Sequence, residues 1–121
     1  MTTKELIQLY YNSLNQKNLT WQDLWADNGI FQDASGTLNA SGKEAVIASF
    51  TSFLQGVVLV SVKHLITQGD NACAVAGYVY INRKGEKLAQ EVAEVWEVSG
   101  GKLKKLTIYF DLTAYRAFMA V

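Results

Sequence analysis

Hydrophobic and polar positions change period along the chain, which divides it into a helical front and a stranded back. From Thr3 to about Lys17 the apolar residues Leu6, Ile7, Tyr10 and Leu14 follow the i, i+3, i+4 spacing of one buried stripe on a helix. Tyr10 lies in the middle of that stripe and Tyr11 on its flank, beside Ile7 and Leu14. Thr20-Trp21-Gln22-Asp23 reads as a capping box in its Asp form, opening a short helix through Trp25 that ends at Asn28 or Gly29. Gly29 to Asp33 is a short strand with Phe31 and Asp33 on one face, before the turn-prone Ala34-Ser35-Gly36-Thr37. Ser41-Gly42-Lys43-Glu44 reads as a second capping box, for a helix carrying Ala45, Val46, Phe50, Phe53 and Leu54 to Gln55-Gly56.

From Val57 the period becomes two. Val57 to Gln68, Ala72 to Asn82 and the two arms of a hairpin from Lys87 to Leu112 read as long antiparallel strands. They turn at Gly69-Asp70-Asn71, Arg83-Lys84-Gly85-Glu86 and Ser99-Gly100-Gly101. A tail from Thr113, with Tyr115, Phe118 and Met119, is apolar enough to pack back on the domain or on a second subunit. Helices ahead of a meander predict an α+β fold over residues 1–121 as a single domain. Its sheet is expected to be curved, cone-shaped and antiparallel or mixed, with three N-terminal helices on the concave face and an apolar pocket inside.

One residue breaks the pattern. Strict alternation sends Val92, Glu94, Trp96 and Val98 to one face of the first hairpin arm, and Glu91, Ala93, Val95 and Glu97 to the other. Glu94 is then a carboxyl on an apolar face, where it has to be hydrogen-bonded, paired with a cation or kept protonated. A place in a pocket, a Lys or Arg partner, or a face turned to a second subunit would each account for it. In the second arm Leu106, Ile108, Phe110 and Leu112 share a face, while Asp111 falls with Lys105, Thr107 and Tyr109. Asp111 therefore caps the tail helix unless a bulge turns it inward. His64 shares a face with Val58, Val60, Val62 and Ile66 and reads as a satisfied core histidine or a piece of pocket wall, as do Trp96 and Trp21.

Composition narrows the partners. Half the residues are hydrophobic and 18% charged, which excludes disorder. Lys+Arg and Asp+Glu both number 11, and no basic cluster exceeds Lys102, Lys104 and Lys105, so no nucleic acid is expected, while zero net charge permits self-association. Cys73 is the only cysteine, which excludes an internal disulfide and a thiol metal site and leaves a small buried hydrophobe. The start lacks a basic segment followed by an apolar run, and no apolar stretch approaches ~18 residues. The expectation is a cytoplasmic protein without a signal peptide or a membrane contact.

The element order, together with LYYNSLNQKNL near the start, IFQDASG in the first strand and the late VAEVWEVSGGKLKKLTIYFDLTAYRA, resembles the nuclear-transport-factor-two-like (cystatin-like) superfamily. Within it the SnoaL-like and ketosteroid-isomerase-like branch is the closest in look. Ketosteroid isomerase works with an aspartate base and an oxyanion hole made of a tyrosine and a protonated aspartate. By matching segments the resemblance places these roles on Asp33, Tyr10 and Glu94, with Phe31, Trp96, His64 and Phe110 lining the pocket and no cofactor. Glu94 stands where the family has an aspartate, and the proline expected after the base is missing at Ala34. Read without the resemblance, Tyr10 is equally a core tyrosine, and Asp33 equally the cap of the Asp-Ala-Ser-Gly turn. SnoaL-like cyclases carry an acid/base aspartate in a late strand, which makes Asp111 a secondary candidate. The implied function is a small-molecule pocket protein for an apolar ligand, of the isomerase, cyclase or dehydratase type, moving a proton next to a carbonyl. The alternatives are a non-catalytic carrier or sensor, or a homodimeric scaffold module, and the family's habit of pairing sheets implies a homodimer.

Overall fold

A computed structural model describes residues 1–121 as ten elements. They are α1 (Thr3–Gln16), α2 (Thr20–Asp23), β1 (Trp25–Asp33), β2 (Asn39–Ser41), α3 (Lys43–Leu54), β3 (Val57–Gln68), β4 (Asn71–Ile81), β5 (Lys87–Ser99), β6 (Lys102–Tyr109) and α4 (Leu112–Met119). The strands form one sheet in the order β2-β1-β6-β5-β4-β3. All neighbours are antiparallel except β1 and β6, which run parallel, so the sheet is mixed. The α+β expectation holds. The sheet is open, and α4 adds a fourth helix.

Local chemistry explains the helix ends. Thr2 accepts from the Glu5 N–H at 3.1 Å while the Glu5 carboxylate accepts from the Thr2 N–H at 2.9 Å, a reciprocal cap that starts α1. Lys17, at φ 57°, ends it in the left-handed region. The two capping boxes read from sequence do not form. Thr20 is already helical behind Leu19, and Ser41 belongs to β2, so that Gly42 precedes α3 without a side-chain cap.

Trp25 opens a strand rather than closing a helix, because it pairs with Leu103 of β6. A register shift between Trp25 and Ile30 then bulges the segment that the sequence reading had given to the helix end. Within it Gly29 is needed for lack of a side chain: a Cβ there would stand 2.9 Å from the Trp25 ring.

The inner face of the sheet carries the core. Trp25, Val60, Tyr78, Tyr80, Val92, Trp96, Leu106 and Ile108 are buried beneath Ile7, Tyr10 and Tyr11 of α1 and Val46 and Phe50 of α3. Alternation in β5, and in β6 from Lys105 to Tyr109, falls as the pattern predicts. A register shift near Leu103 puts both Leu103 and Leu106 inward, and the strand ends at Tyr109, so that Leu112, expected on its inner face, opens α4. In β3 alternation fails, because bulges between Val57 and Leu59 and between Val62 and His64 each insert a residue. Val57, Val60 and Leu65 are the covered positions there, while Val58, Leu59 and Ile66 stay exposed. No helix is long and apolar enough to cross a membrane.

Candidate functional site

Glu94 is wholly buried at the centre of the inner face. Strand β5 delivers it there by simple alternation, between Ala74 of β4 and Ile108 of β6, its two cross-strand partners. One carboxyl oxygen, Oε1, accepts from the Tyr11 hydroxyl at 2.6 Å and from the Tyr78 hydroxyl at 2.9 Å. The Trp96 indole N–H donates to the Tyr11 hydroxyl at 3.1 Å, which leaves the tyrosine proton free to point at Glu94. The other oxygen, Oε2, has no partner.

No cation contributes. The single salt bridge of the fold, Lys63 to Glu91, is on the surface. Burial therefore raises the Glu94 pKa to about 7, against the smaller lowering effects of the Tyr11 and Tyr78 hydrogen bonds. Burial first, and the charge of Glu94 second, push the Tyr10, Tyr11 and Tyr78 hydroxyls well above the ordinary phenol range. All three stay protonated, and the carboxyl alone changes charge near neutral pH.

The α1 tyrosine bonded to Glu94 is thus Tyr11, where the resemblance points to Tyr10. Both lie on the inner side of α1, but about 100° apart around its axis they reach different places. The Tyr10 ring sits among Trp96 at 4.8 Å, Phe50 at 6.3 Å and Trp25 at 6.5 Å, and its hydroxyl is buried without a partner. The Trp25 indole N–H is likewise unpartnered. In sequence, the only sign favouring Tyr11 was its place at the stripe's edge. A residue there faces the sheet obliquely and can reach a deeper strand.

Asp33 lies at the end of β1, covered but at the rim of the fold. Its Oδ1 accepts from the Leu38 N–H at 2.6 Å, and its Oδ2 from the Ser35 N–H at 3.1 Å and the Ser35 hydroxyl. Burial alone would raise its pKa, but these bonds together outweigh that and hold it below the usual carboxylate range. Both oxygens are thus engaged in fixing the loop from Ala34 to Leu38. Asp111 caps α4, accepting from the Ala114 N–H at 2.9 Å, as alternation in β6 implied.

Above this layer opens a cleft of about 620 Å³. Phe31 of β1, Phe50 and Phe53 of α3, Phe110 and Tyr115 supply aromatic walls, Ile108 part of the floor, and Thr37, Asn39, Ser49 and Ser52 the polar groups. Phe31 and Phe110 are among the residues that line it. Trp96 is not: it is fully buried beside Glu94. His64 is not either, because the bulge at Val62 sets it opposite Val75 and turns it to the exposed outer face. It borders a separate groove of about 530 Å³ between α1 and β3, with Gln8, Asn12 and Tyr11. Nor do Tyr10, Asp33 and Glu94 line the cleft. Glu94 adjoins it through Ile108, opposite on β6, and through Tyr78, whose ring packs at 5.8 Å on that of Phe53.

Known folds repeat this arrangement. An NTF2-like protein of unknown function from Burkholderia pseudomallei superposes with a TM-score of 0.85 at 12% identity, covering 98% of both chains. A protein of ketosteroid-isomerase-like fold from Catenulispora acidiphila, solved in complex with trimethylamine, gives 0.80 at 17% identity over 99% of this chain and 95% of its own. SalBIII, an epoxide hydrolase/cyclase-like enzyme with a role in pyran ring formation in the polyether salinomycin, gives 0.83 at 17% identity over 92% of each. No curated protein matches the sequence. The model of the SnoaL-like domain matches residues 7–106, from within α1 to the middle of β6, and the chain accordingly belongs to the SnoaL-like family.

Proposed function

We propose that this SnoaL-like domain binds an apolar small molecule carrying a carbonyl or hydroxyl group in the cleft between α3 and β6, and that Glu94 exchanges a proton next to that group. The observation that carries the reading is a wholly buried carboxyl with no cation beside it and one unpartnered oxygen, one residue layer from the cleft, whose pKa burial raises. A group half ionised at neutral pH works both as base and as acid. On a ligand that reaches from the cleft into this buried layer, Glu94 takes the proton, and the unpartnered Tyr10 hydroxyl donates to the oxygen on which charge develops. Asp33 acts as a positioning residue, since the loop it fixes carries Thr37 and Leu38 to the cleft. Cyclase-like and isomerase-like neighbours share the fold, which is compatible with this chemistry and does not select it.

Deuterium exchange tests the reading. Incubated in D2O with a panel of cyclic enones, the protein is expected to place deuterium next to the carbonyl, and Glu94→Gln to slow this by about 10²-fold or more while staying folded. Equal exchange in both proteins would remove Glu94 from the chemistry. Binding without exchange in either would favour the second reading, a non-catalytic carrier. That reading draws on the lining itself, which holds no carboxylate, histidine or lysine. Either reading accommodates a homodimer joined through the outer sheet face, where Leu59, Ile66, Val95 and Tyr109 are exposed.

A further inference from the structure

One ring separates the cleft from two of the core's unpartnered donors. Phe50 is 2% exposed and lines the cleft, where it packs on Phe31 at 4.6 Å and Phe53 at 6.4 Å between ring centres. Inward, the same ring packs on Trp25 at 6.0 Å and Tyr10 at 6.3 Å. Trp25 Nε1 and Tyr10 Oη have no hydrogen-bond partner, nor does Glu94 Oε2. Buried polar groups in native proteins are nearly always satisfied, so exceptions gathered around one ring call for an explanation. An indole N–H can only donate, and a phenol hydroxyl can donate or accept. An acceptor oxygen entering this layer would satisfy either donor.

The element that carries Phe50 is held by few fully buried side chains. Of the residues of α3 only Val46 and Phe50 are buried, and the helix starts at Gly42 without a side-chain cap. The residues behind the ring belong instead to α1 and to the sheet. Displacing Phe50 therefore costs one helix-borne side chain, whereas displacing Trp25 or Glu94 breaks strand pairing.

We propose that Phe50 is a movable plug that determines which ligands reach the interior. A ring-sized ligand bearing a carbonyl or hydroxyl oxygen takes the place of the Phe50 ring and offers that oxygen to Tyr10 and Trp25. A ligand of the same shape without oxygen stays in the outer cleft. The inference rests on the pocket reading above and adds to it a specificity-determining residue and a depth. Nothing reacts in this step; one side chain exchanges places with the ligand.

Phenol and toluene, matched in size and differing in the hydroxyl, probe it on the whole protein. In Phe50→Leu, a conservative change that keeps an apolar side chain on α3, phenol is expected to bind about tenfold more tightly than in the wild type, and toluene to gain less. The Trp25 indole N–H resonance is expected to move with phenol and to stay with toluene. Adding Tyr10→Phe should cut the phenol gain. Equal gains for both probes with an unmoved indole signal would overturn the plug while leaving the cleft. If neither the wild type nor Phe50→Leu binds either probe, the pocket reading fails and the plug with it.

Discussion

Two carboxyl groups are hidden from water in this fold, Asp33 at 4% exposure and Glu94 at 0%, and they titrate in opposite directions. Asp33 is held below the usual carboxylate range and Glu94 is raised to about 7. Burial pushes both upward, so the difference lies in what each meets. Asp33 stands at the rim, and two backbone N–H groups and a hydroxyl donate to its two oxygens. Glu94 lies in the middle of an aromatic core, with two phenols on one oxygen and none on the other. Exposure alone does not predict charge; the number of donors and the depth beneath the surface do. The rim carboxylate is spent on holding a loop, and the central one keeps its proton chemistry.

The contrast can be broken most severely at Glu94 itself. Each pKa unit is worth about 1.4 kcal/mol, so a shift from 4.5 to about 7 removes on the order of 3 kcal/mol of native stability as pH rises through that window. The sign follows from proton uptake: between those values the native state holds the proton and the unfolded state has lost it. Glu94→Gln should therefore be flat from pH 4.5 to pH 7 where the wild type falls, in urea melts across pH. Parallel curves would mean that Glu94 titrates normally.

A smaller effect is expected from Tyr11→Phe. It strips a donor from Glu94 and an acceptor from the Trp96 N–H, at a cost of about 2 kcal/mol, and should move the Glu94 titration above its wild-type value, read from the carboxyl carbon by NMR. An unmoved titration would assign the cradle to Tyr78 alone. The smallest change is Asp33→Asn, about 1–2 kcal/mol destabilising at pH 7. Here the sign reverses: a depressed pKa stabilises above the unfolded value of 3.8 and the contribution is lost as pH falls through the folded value. The gap between Asp33→Asn and wild type should thus close in acid. A gap constant down to pH 2 would show that the loop does not depend on the charge.

The regions that were legible in sequence are those where one interaction dominates. Alternation in β5 and β6 placed Glu94 and Ile108 inward, because the two faces of those strands differ in polarity, whereas Asp111 lies past the end of β6 and is held by its own capping bond at the start of α4. His64 falls on the other face from the one strict alternation gives, because the extra residue of the second β3 bulge, Lys63, has no signature in the sequence. The apparent capping boxes failed for two reasons: Thr20 is already inside α2, behind Leu19, and Ser41 is claimed by pairing with Ile30. Pairing with Leu103 takes Trp25 from the end of the helix into β1. Choosing Tyr11 over Tyr10 required the rotation of α1 against the sheet, which no local pattern contains. The three-residue β2 escaped notice since it exists only as a partner of β1.

The parallel pairing of β1 with β6 has a kinetic meaning. β6 follows β1 after five intervening elements, so their contact closes the longest loop of the sheet and tends to form late. Phe31 and Phe110 lie on opposite sides of that seam, and both line the cleft. The cavity consequently does not exist in a partly made chain. Any occupant bridging the two rings acts as a clasp on the last-formed pairing, slowing its reopening without hastening the earlier steps.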